Sequence, residues 1–308
     1  MNSLIQDSRL IALCRRIPAL ADAINIRALE GGLSNKNYRV DTATQSYVMR
    51  VGTASPELLG IDRGNEVINT DSAWRAGVGP AVIDSLPDEQ VLVLGWIEAK
   101  TLHTADLQMQ PALLTRIAHA LRSLHSGAPF QGRFHFPTIR TNYLKKVLKE
   151  GYFLPDRYLD LEPLVSEMER ILDANPEPLV PCNNDLLAEN FLDDGEKIWI
   201  IDYEYSGQNE ASFEIGNLAA ESFLPEDQLA QLCDVYWQEN IPKKLARAKA
   251  WSMISRFGWV LWASIQEAIS PMSFDFRSWG MRKWDAVMPG LSGEPYQTLL
   301  KQLKQDLP

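Results

Sequence analysis

Val180-Pro-Cys-Asn-Asn-Asp185-Leu-Leu-Ala-Glu-Asn190-Phe-Leu192, followed after a polar turn by Ile198-Trp-Ile-Ile-Asp202-Tyr-Glu-Tyr-Ser206, decides how this chain is read. Two apolar runs flank a polar loop, so the segment reads as strand, loop, strand. Asp185 and Asn190 form a D-x-x-x-x-N loop, and Asp202 closes the second apolar run. Alone, such Asn and Asp residues could simply shape turns. Together they supply the parts of a phosphoryl-transfer site: a carboxylate to receive a hydroxyl proton, and hard oxygen ligands to hold Mg²⁺ against nucleotide phosphates.

Outward from this loop the texture of the chain changes twice. Residues 1–25 read as a leading helix, and from Ile26 the pattern turns extended, with Asn37–Val40 and Tyr47–Val51 as strands. Residues 61–76 read as a helix that Gly77-Val-Gly79-Pro80 stops, and Val82–Asp84 and Val91–Leu94 add two strands. After Gly95 the pattern is helical, over 106–126, 140–150, 161–174, 211–222, 226–240, 243–269 and 275–287. The expected organisation is α+β, with a small β-rich lobe over 1–95 and a larger helical lobe over 96–308. A ligand is expected in the cleft between them.

Composition narrows the function. Hydrophobic residues are 45 % and charged residues 23 % of 308, ordinary globular usage. Thirty Lys and Arg against 40 Asp and Glu give a net charge of −10, which argues against a nucleic-acid partner. Cys14, Cys182 and Cys233 are scattered without metal-ligand spacing, which suits a reducing, cytoplasmic setting. The first 20 residues lack the pattern of a secretory leader. Arg256, Gln266 and Glu267 interrupt the apolar run Trp251–Ile269, so a buried helix is expected there and no membrane insertion. The oligomeric state stays open.

The central loop resembles the catalytic loop of the choline/ethanolamine kinases and aminoglycoside phosphotransferases, which share the two-lobed protein-kinase-like fold. Asp202-Tyr-Glu-Tyr-Ser-Gly-Gln-Asn-Glu-Ala-Ser-Phe-Glu-Ile-Gly-Asn-Leu-Ala-Ala-Glu221 is similar to the "D-F-E-Y … N … F-D-I-G-N … E" signature of the choline kinase branch. Asn183 departs from it, since the family usually carries His-Asn-Asp where this chain has Asn183-Asn184-Asp185. The resemblance implies that Asp185 is the catalytic carboxylate and that Asn190 and Asp202 hold Mg²⁺. It implies ATP between the lobes. Gly31, Gly32, Ser34 and Asn35, in a stretch resembling "G-G-x-S/T-N-x-x-Y", would lie over its phosphates, beside Arg50 with Glu66 as the acidic partner. Leu94, Gly95, Trp96 and Ile97 would form the hinge and offer backbone groups to adenine. His125, in an "L-x-x-L-H" pattern, is expected to be structural.

The acceptor has to be read from the helical lobe. Five of the nine tryptophans follow residue 250, and Trp259 and Trp262 project to one side of a helix. Arg256-Phe-Gly-Trp259-Val-Leu-Trp262-Ala-Ser-Ile-Gln266 resembles the choline kinase segment "F-x-W-G-x-W-x-x-x-Q", and Trp279 falls where that family has a further aromatic residue. Spacing alone favours core packing. Together with Tyr205 and Glu221, the tryptophans imply a cage for a quaternary ammonium. The expected function is ATP-dependent phosphorylation of a small amino alcohol, choline first, giving phosphocholine. The alternatives are ethanolamine, thiamine or an aminoglycoside as acceptor, or a catalytically weak binding protein of the same fold, which Asn183 invites.

Overall fold

The computed structural model describes residues 7–30, 35–52 and 60–305. Five antiparallel strands form the first sheet: β1 (Asn25–Ala28), β2 (Asn35–Asp41), β3 (Ser46–Gly52), β4 (Val82–Leu86) and β5 (Val91–Gly95), in the order β1-β2-β3-β5-β4. Alternation along β3 decides which side chains meet. Tyr47, Met49 and Val51 join a core with Val40, Val91 and Val93, closed by Leu13, Ile17 and Leu20. Arg50 falls on the other face, opposite Leu92 and Asn37. The helix Arg63–Arg75 starts where the Asp62 carboxylate accepts the Asn65 N–H, and Gly77, at φ +80°, follows its end.

The leading segment is shorter as a helix than its sequence suggests. It runs Ser8–Arg16, and Pro18, which has no N–H to continue the ladder, opens a 3₁₀ turn, Pro18–Leu20. The helix expected over 106–126 is two, Thr104–Met109 and Pro111–His125, because Pro111 starts a new first turn after Gln110. A further helix, Gly293–Lys304, buries Tyr296, Leu299, Leu300 and Leu303 and was not anticipated.

Helices Phe136–Glu150, Tyr158–Ala174, Ala211–Glu221, Glu226–Trp237 and Phe276–Val287 surround Pro242–Ile269, whose 28 residues span about 42 Å. Ala211–Glu221 is buried along its whole length. It approaches the central helix so closely at Gly216 that a Cβ there would meet the Ala248 carbonyl oxygen, and Ser252 N and Trp251 Cβ at 2.9 Å. That contact brings Asn217 and Glu221 to the tryptophans. Between the helices lie two small sheets, β10 (Gly207–Glu210) with β7 (Leu179–Cys182), and β6 (Lys100–Thr101), β8 (Phe191–Asp193) and β9 (Ile198–Ile200) in the order β6-β8-β9. Among the described residues no helix is long and apolar enough to cross a membrane.

Candidate active site

The loop after β7 is held by its two asparagines. Asn183 is wholly buried, and its amide donates to the Ile201 carbonyl at 3.2 Å and the Asp202 carbonyl at 2.8 Å. Its own Oδ1 accepts the Asp185 N–H at 3.0 Å. One side chain thereby fixes Asp185 relative to Asp202, bridging the two backbone segments. Asn184 takes a left-handed conformation, φ +67°, which Asn tolerates better than most residues. Its N–H donates to Glu214 Oε1 at 2.8 Å and its side-chain amide to the Tyr205 carbonyl at 3.1 Å. Asn190 ends a 3₁₀ turn, and its amide nitrogen donates to the Asp185 carbonyl at 2.7 Å. That leaves the amide oxygen as the atom that could ligate a metal.

Asp202, also left-handed at φ +64°, receives Arg50 Nη2 on Oδ1 at 2.8 Å. Arg50 Nη1 is 2.9 Å from Glu66 Oε1, the acidic partner expected from sequence. Burial opposes the Arg50 charge, but Asp202, Glu66 and Glu204 outweigh it, so the guanidinium is raised above its usual range. Arg63, which the sequence did not single out, extends the network to Glu66 at 2.7 Å and Glu204 at 3.2 Å. Its i,i+3 spacing from Glu66 was the available signal.

Asn35 departs from its expected role. Its amide donates to Glu204 Oε2 at 2.9 Å and its Oδ1 accepts from Arg63 at 2.8 Å, so the side chain is buried within this network and is not a free donor over phosphates. Gly31, Gly32 and Ser34 lie outside the described residues. In the hinge, Leu94 is buried in the sheet, the Gly95 N–H donates to the Ala81 carbonyl and the Trp96 N–H to the Ser46 carbonyl. Those two N–H groups are therefore spent within the small lobe, and of the backbone groups expected to face adenine these two are not available. Ile97 follows them at the exit from β5.

A cavity of about 420 Å³ collects the remaining candidates: Asp185, Asn190, Asp202, Tyr205, Glu221, Trp259, Trp262 and Trp279 all line it. The aromatic wall is fixed by hydrogen bonds. Trp259 Nε1 donates to Asn217 Oδ1 at 2.9 Å and Trp262 Nε1 to the Tyr205 hydroxyl at 3.0 Å. The Trp259 and Trp262 rings stand at 90° to each other, and Trp279 lies 5.4 Å from Trp262, centroid to centroid. Lys283 was not singled out in the sequence. It is buried, with its ammonium 2.5 Å from Glu221 Oε2 and 3.9 Å from the Trp279 ring centroid. Trp279 and Lys283 are i,i+4 on one helix, a signal the sequence did contain.

Asp185 is pushed well above the usual carboxylate range, first by burial and then by the negative charges of Asp202, Glu221 and Glu204, against which Lys283 works. This crowding of oxygen donors fits a divalent cation, and Asn190 and Asp202 are hard ligands of the kind Mg²⁺ takes. His125 serves the frame, with Nε2 2.6 Å from Glu214 Oε2 and Nδ1 2.7 Å from the Tyr236 hydroxyl. Cys182 Sγ lies 3.8 Å from His125 Nε2, while Glu214 is already occupied by His125 and the Asn184 N–H.

Residues 26–227 match the family model described as choline/ethanolamine kinase. The chain is 27 % identical over 278 residues to Protein LicA of Haemophilus influenzae, covering 86 % of this chain and 79 % of that protein. It is 28 % identical to the probable ethanolamine kinase A of Dictyostelium discoideum, covering 85 % and 84 %. The crystal structure of a choline/ethanolamine kinase family protein from Mesorhizobium loti superposes with a TM-score of 0.85 at 29 % identity, over 96 % of this chain and 98 % of the other. The architecture is the protein-kinase-like one, a small N-terminal sheet followed by a larger helical part.

Proposed function

The chain belongs to the choline/ethanolamine kinase family, kinases that phosphorylate an alcohol, and from that premise we propose that it transfers the γ-phosphoryl group of ATP to the hydroxyl of choline, giving phosphocholine. One observation carries the choice of acceptor. The carboxylate of Asp185 shares a single cavity with three tryptophans and Tyr205. Aromatic faces attract a quaternary ammonium without requiring N–H donors from it. Ethanolamine, whose primary ammonium needs hydrogen-bond acceptors, is the nearest rival. Thiamine and aminoglycosides are larger molecules for the same space.

In this reading the nucleotide lies between the lobes, divided at residues 95 and 96, with its phosphates toward Arg50 and the segment containing Gly31, Gly32 and Ser34. Asp185 accepts a hydrogen bond from the acceptor hydroxyl and takes its proton as the new O–P bond forms and the bond from γ-phosphorus to the β,γ-bridging oxygen breaks, releasing ADP. The raised affinity of Asp185 for a proton makes it a better base near neutrality than an ordinary carboxylate. Asn183 keeps that carboxylate in register with Asp202. Arg50, anchored by Glu66, orients Asp202. Mg²⁺ held by Asn190 and Asp202 would supply charge neutralisation on the phosphates. Positioning supplies much of the rest. Three free, buried cysteines accord with a cytoplasmic protein.

ADP release measured with ATP and a panel of choline, ethanolamine, thiamine and an aminoglycoside tests this reading. Choline is expected to give the highest kcat/KM, and preference for any other member of the panel would overturn it.

A further inference from the structure

Lys283 stands against the acceptor cavity without lining it. It lies one turn after Trp279 on the helix Phe276–Val287, and its side chain is 1 % exposed. Glu221 Oε2 receives its ammonium, while Glu221 Oε1 is buried and has no hydrogen-bond partner among the described residues. A lysine is seldom this buried, and here its charge is set against the two groups, a carboxylate and an indole face, that a ligand cation would also use. Glu221 and Trp279 line the cavity, so whatever Lys283 does to their charge is felt inside it.

Resting on the choline reading above, we propose that Lys283 is a specificity-determining residue: by balancing the charge of Glu221, it leaves the aromatic faces to select the ammonium group of the acceptor. A primary ammonium is compact and strongly hydrated, and its burial requires a matching charge and hydrogen-bond acceptors. A Glu221 already paired with Lys283 has one oxygen left to accept but its charge balanced, so it cannot supply the matching charge. A quaternary ammonium spreads its charge over methyl groups, has no N–H to satisfy, and draws on the faces of Trp259, Trp262 and Tyr205. Lys283 thus acts through Glu221 and does not touch the acceptor.

The test compares kcat/KM for choline and ethanolamine, together with the KM for ATP, in the wild type, Lys283→Gln and Lys283→Arg. Gln keeps a donor for Glu221 and removes the charge; Arg keeps both. In Lys283→Gln the choline-to-ethanolamine ratio is expected to fall by at least about tenfold, through a lower KM for ethanolamine, because a carboxylate relieved of its counter-ion attracts a cation in the same cavity more strongly. Lys283→Arg should hold the ratio within about threefold, and the KM for ATP should not move. A folded, active Lys283→Gln with the wild-type ratio would overturn the inference while leaving the choline reading intact. A wild type that phosphorylates neither amino alcohol would overturn the choline reading, and this inference with it. Should Lys283→Gln not fold, the neutral pair Glu221→Gln with Lys283→Met decides. Choline affinity is expected to stay within about tenfold of wild type, and a loss beyond about a hundredfold contradicts the inference.

Discussion

Arg50 Nη2 lies 2.8 Å from Asp202 Oδ1, tying β3 of the small sheet to the loop after β9. The same guanidinium holds Glu66 and approaches Glu204 at 3.7 Å, two carboxylates it shares with Arg63, and it is the cation that reaches Asp202. Removing one partner of a buried pair strands the others, at a cost of about 3–5 kcal/mol. Arg50→Ala is expected to lose stability on that scale in denaturant melts, and Arg50→Lys, which cannot fork between Glu66 and Asp202, to raise the KM for ATP. Unchanged melting in Arg50→Ala would show that the network is not structural.

Asn183 occupies the position where the family usually carries His, and its three hydrogen bonds link Asp185 to Asp202. Asn183→Ala is expected to lower kcat by about 10²-fold, the scale of a displacement of about 1 Å in a catalytic group. Nucleotide affinity, measured by calorimetry, should be preserved. A variant with wild-type kcat would mean that the loop holds its shape without this link.

The proton affinity of Asp185 gives a pH signature. Its folded-state pKa is raised by burial and by Asp202, Glu221 and Glu204, so the folded chain binds this proton more tightly than the unfolded one. The resulting stability is present below the unfolded carboxylate pKa and is lost as pH rises toward the folded value. Asp185→Asn, which cannot ionise, is therefore expected to melt higher than wild type at neutral pH, in the absence of nucleotide and metal. Activity should rise with pH through a midpoint above the ordinary carboxylate range. Glu221→Gln should move that midpoint down and Lys283→Gln should move it up. Equal melting of Asp185→Asn and wild type would contradict the crowding of charge.

Trp262 packs against Trp259, Trp279 and Phe276, and donates to Tyr205. Trp262→Ala should raise the KM for choline more than about tenfold with little change for ATP, alongside about 3–5 kcal/mol of lost stability. An unchanged choline KM would reduce the tryptophans to core packing.

Gly216 has no room for a side chain, since a Cβ would strike the backbone of the central helix. Gly216→Ala is expected to cost about 1–3 kcal/mol and to raise the choline KM by shifting Asn217 and Glu221. Thermal melting and steady-state kinetics on the same preparation check both effects, and wild-type values would show that the helices can separate freely.

What the sequence disclosed was what local spacing carries. Asp185, Asn190 and Asp202 lie within 18 residues of chain, and Trp259 with Trp262 follows the helical repeat, so these residues, which line one cavity, could be singled out before any fold was known. Glu66 was legible as the acidic partner of Arg50 through the family resemblance. The pair Lys283–Glu221 was not, because it depends on how two helices cross rather than on spacing. Arg63 to Glu204 and Asn35 to Glu204 are hidden for the same reason, joining positions more than 140 residues apart. The break at Gln110 was marked by Pro111, but the apolar periodicity on both sides obscured it. The hinge amides of Gly95 and Trp96 looked available because sequence does not show which carbonyl lies opposite a strand end.

Choline-dependent ADP release by wild type and by Asp185→Asn, at saturating ATP and Mg²⁺, bears most directly on whether one buried carboxylate positions the acceptor hydroxyl in an aromatic pocket. The account predicts steady release by wild type only when choline is present, and a loss of about 10³-fold in Asp185→Asn with nucleotide affinity unchanged. Wild-type rates in Asp185→Asn, or no response of the wild type to choline, would contradict it.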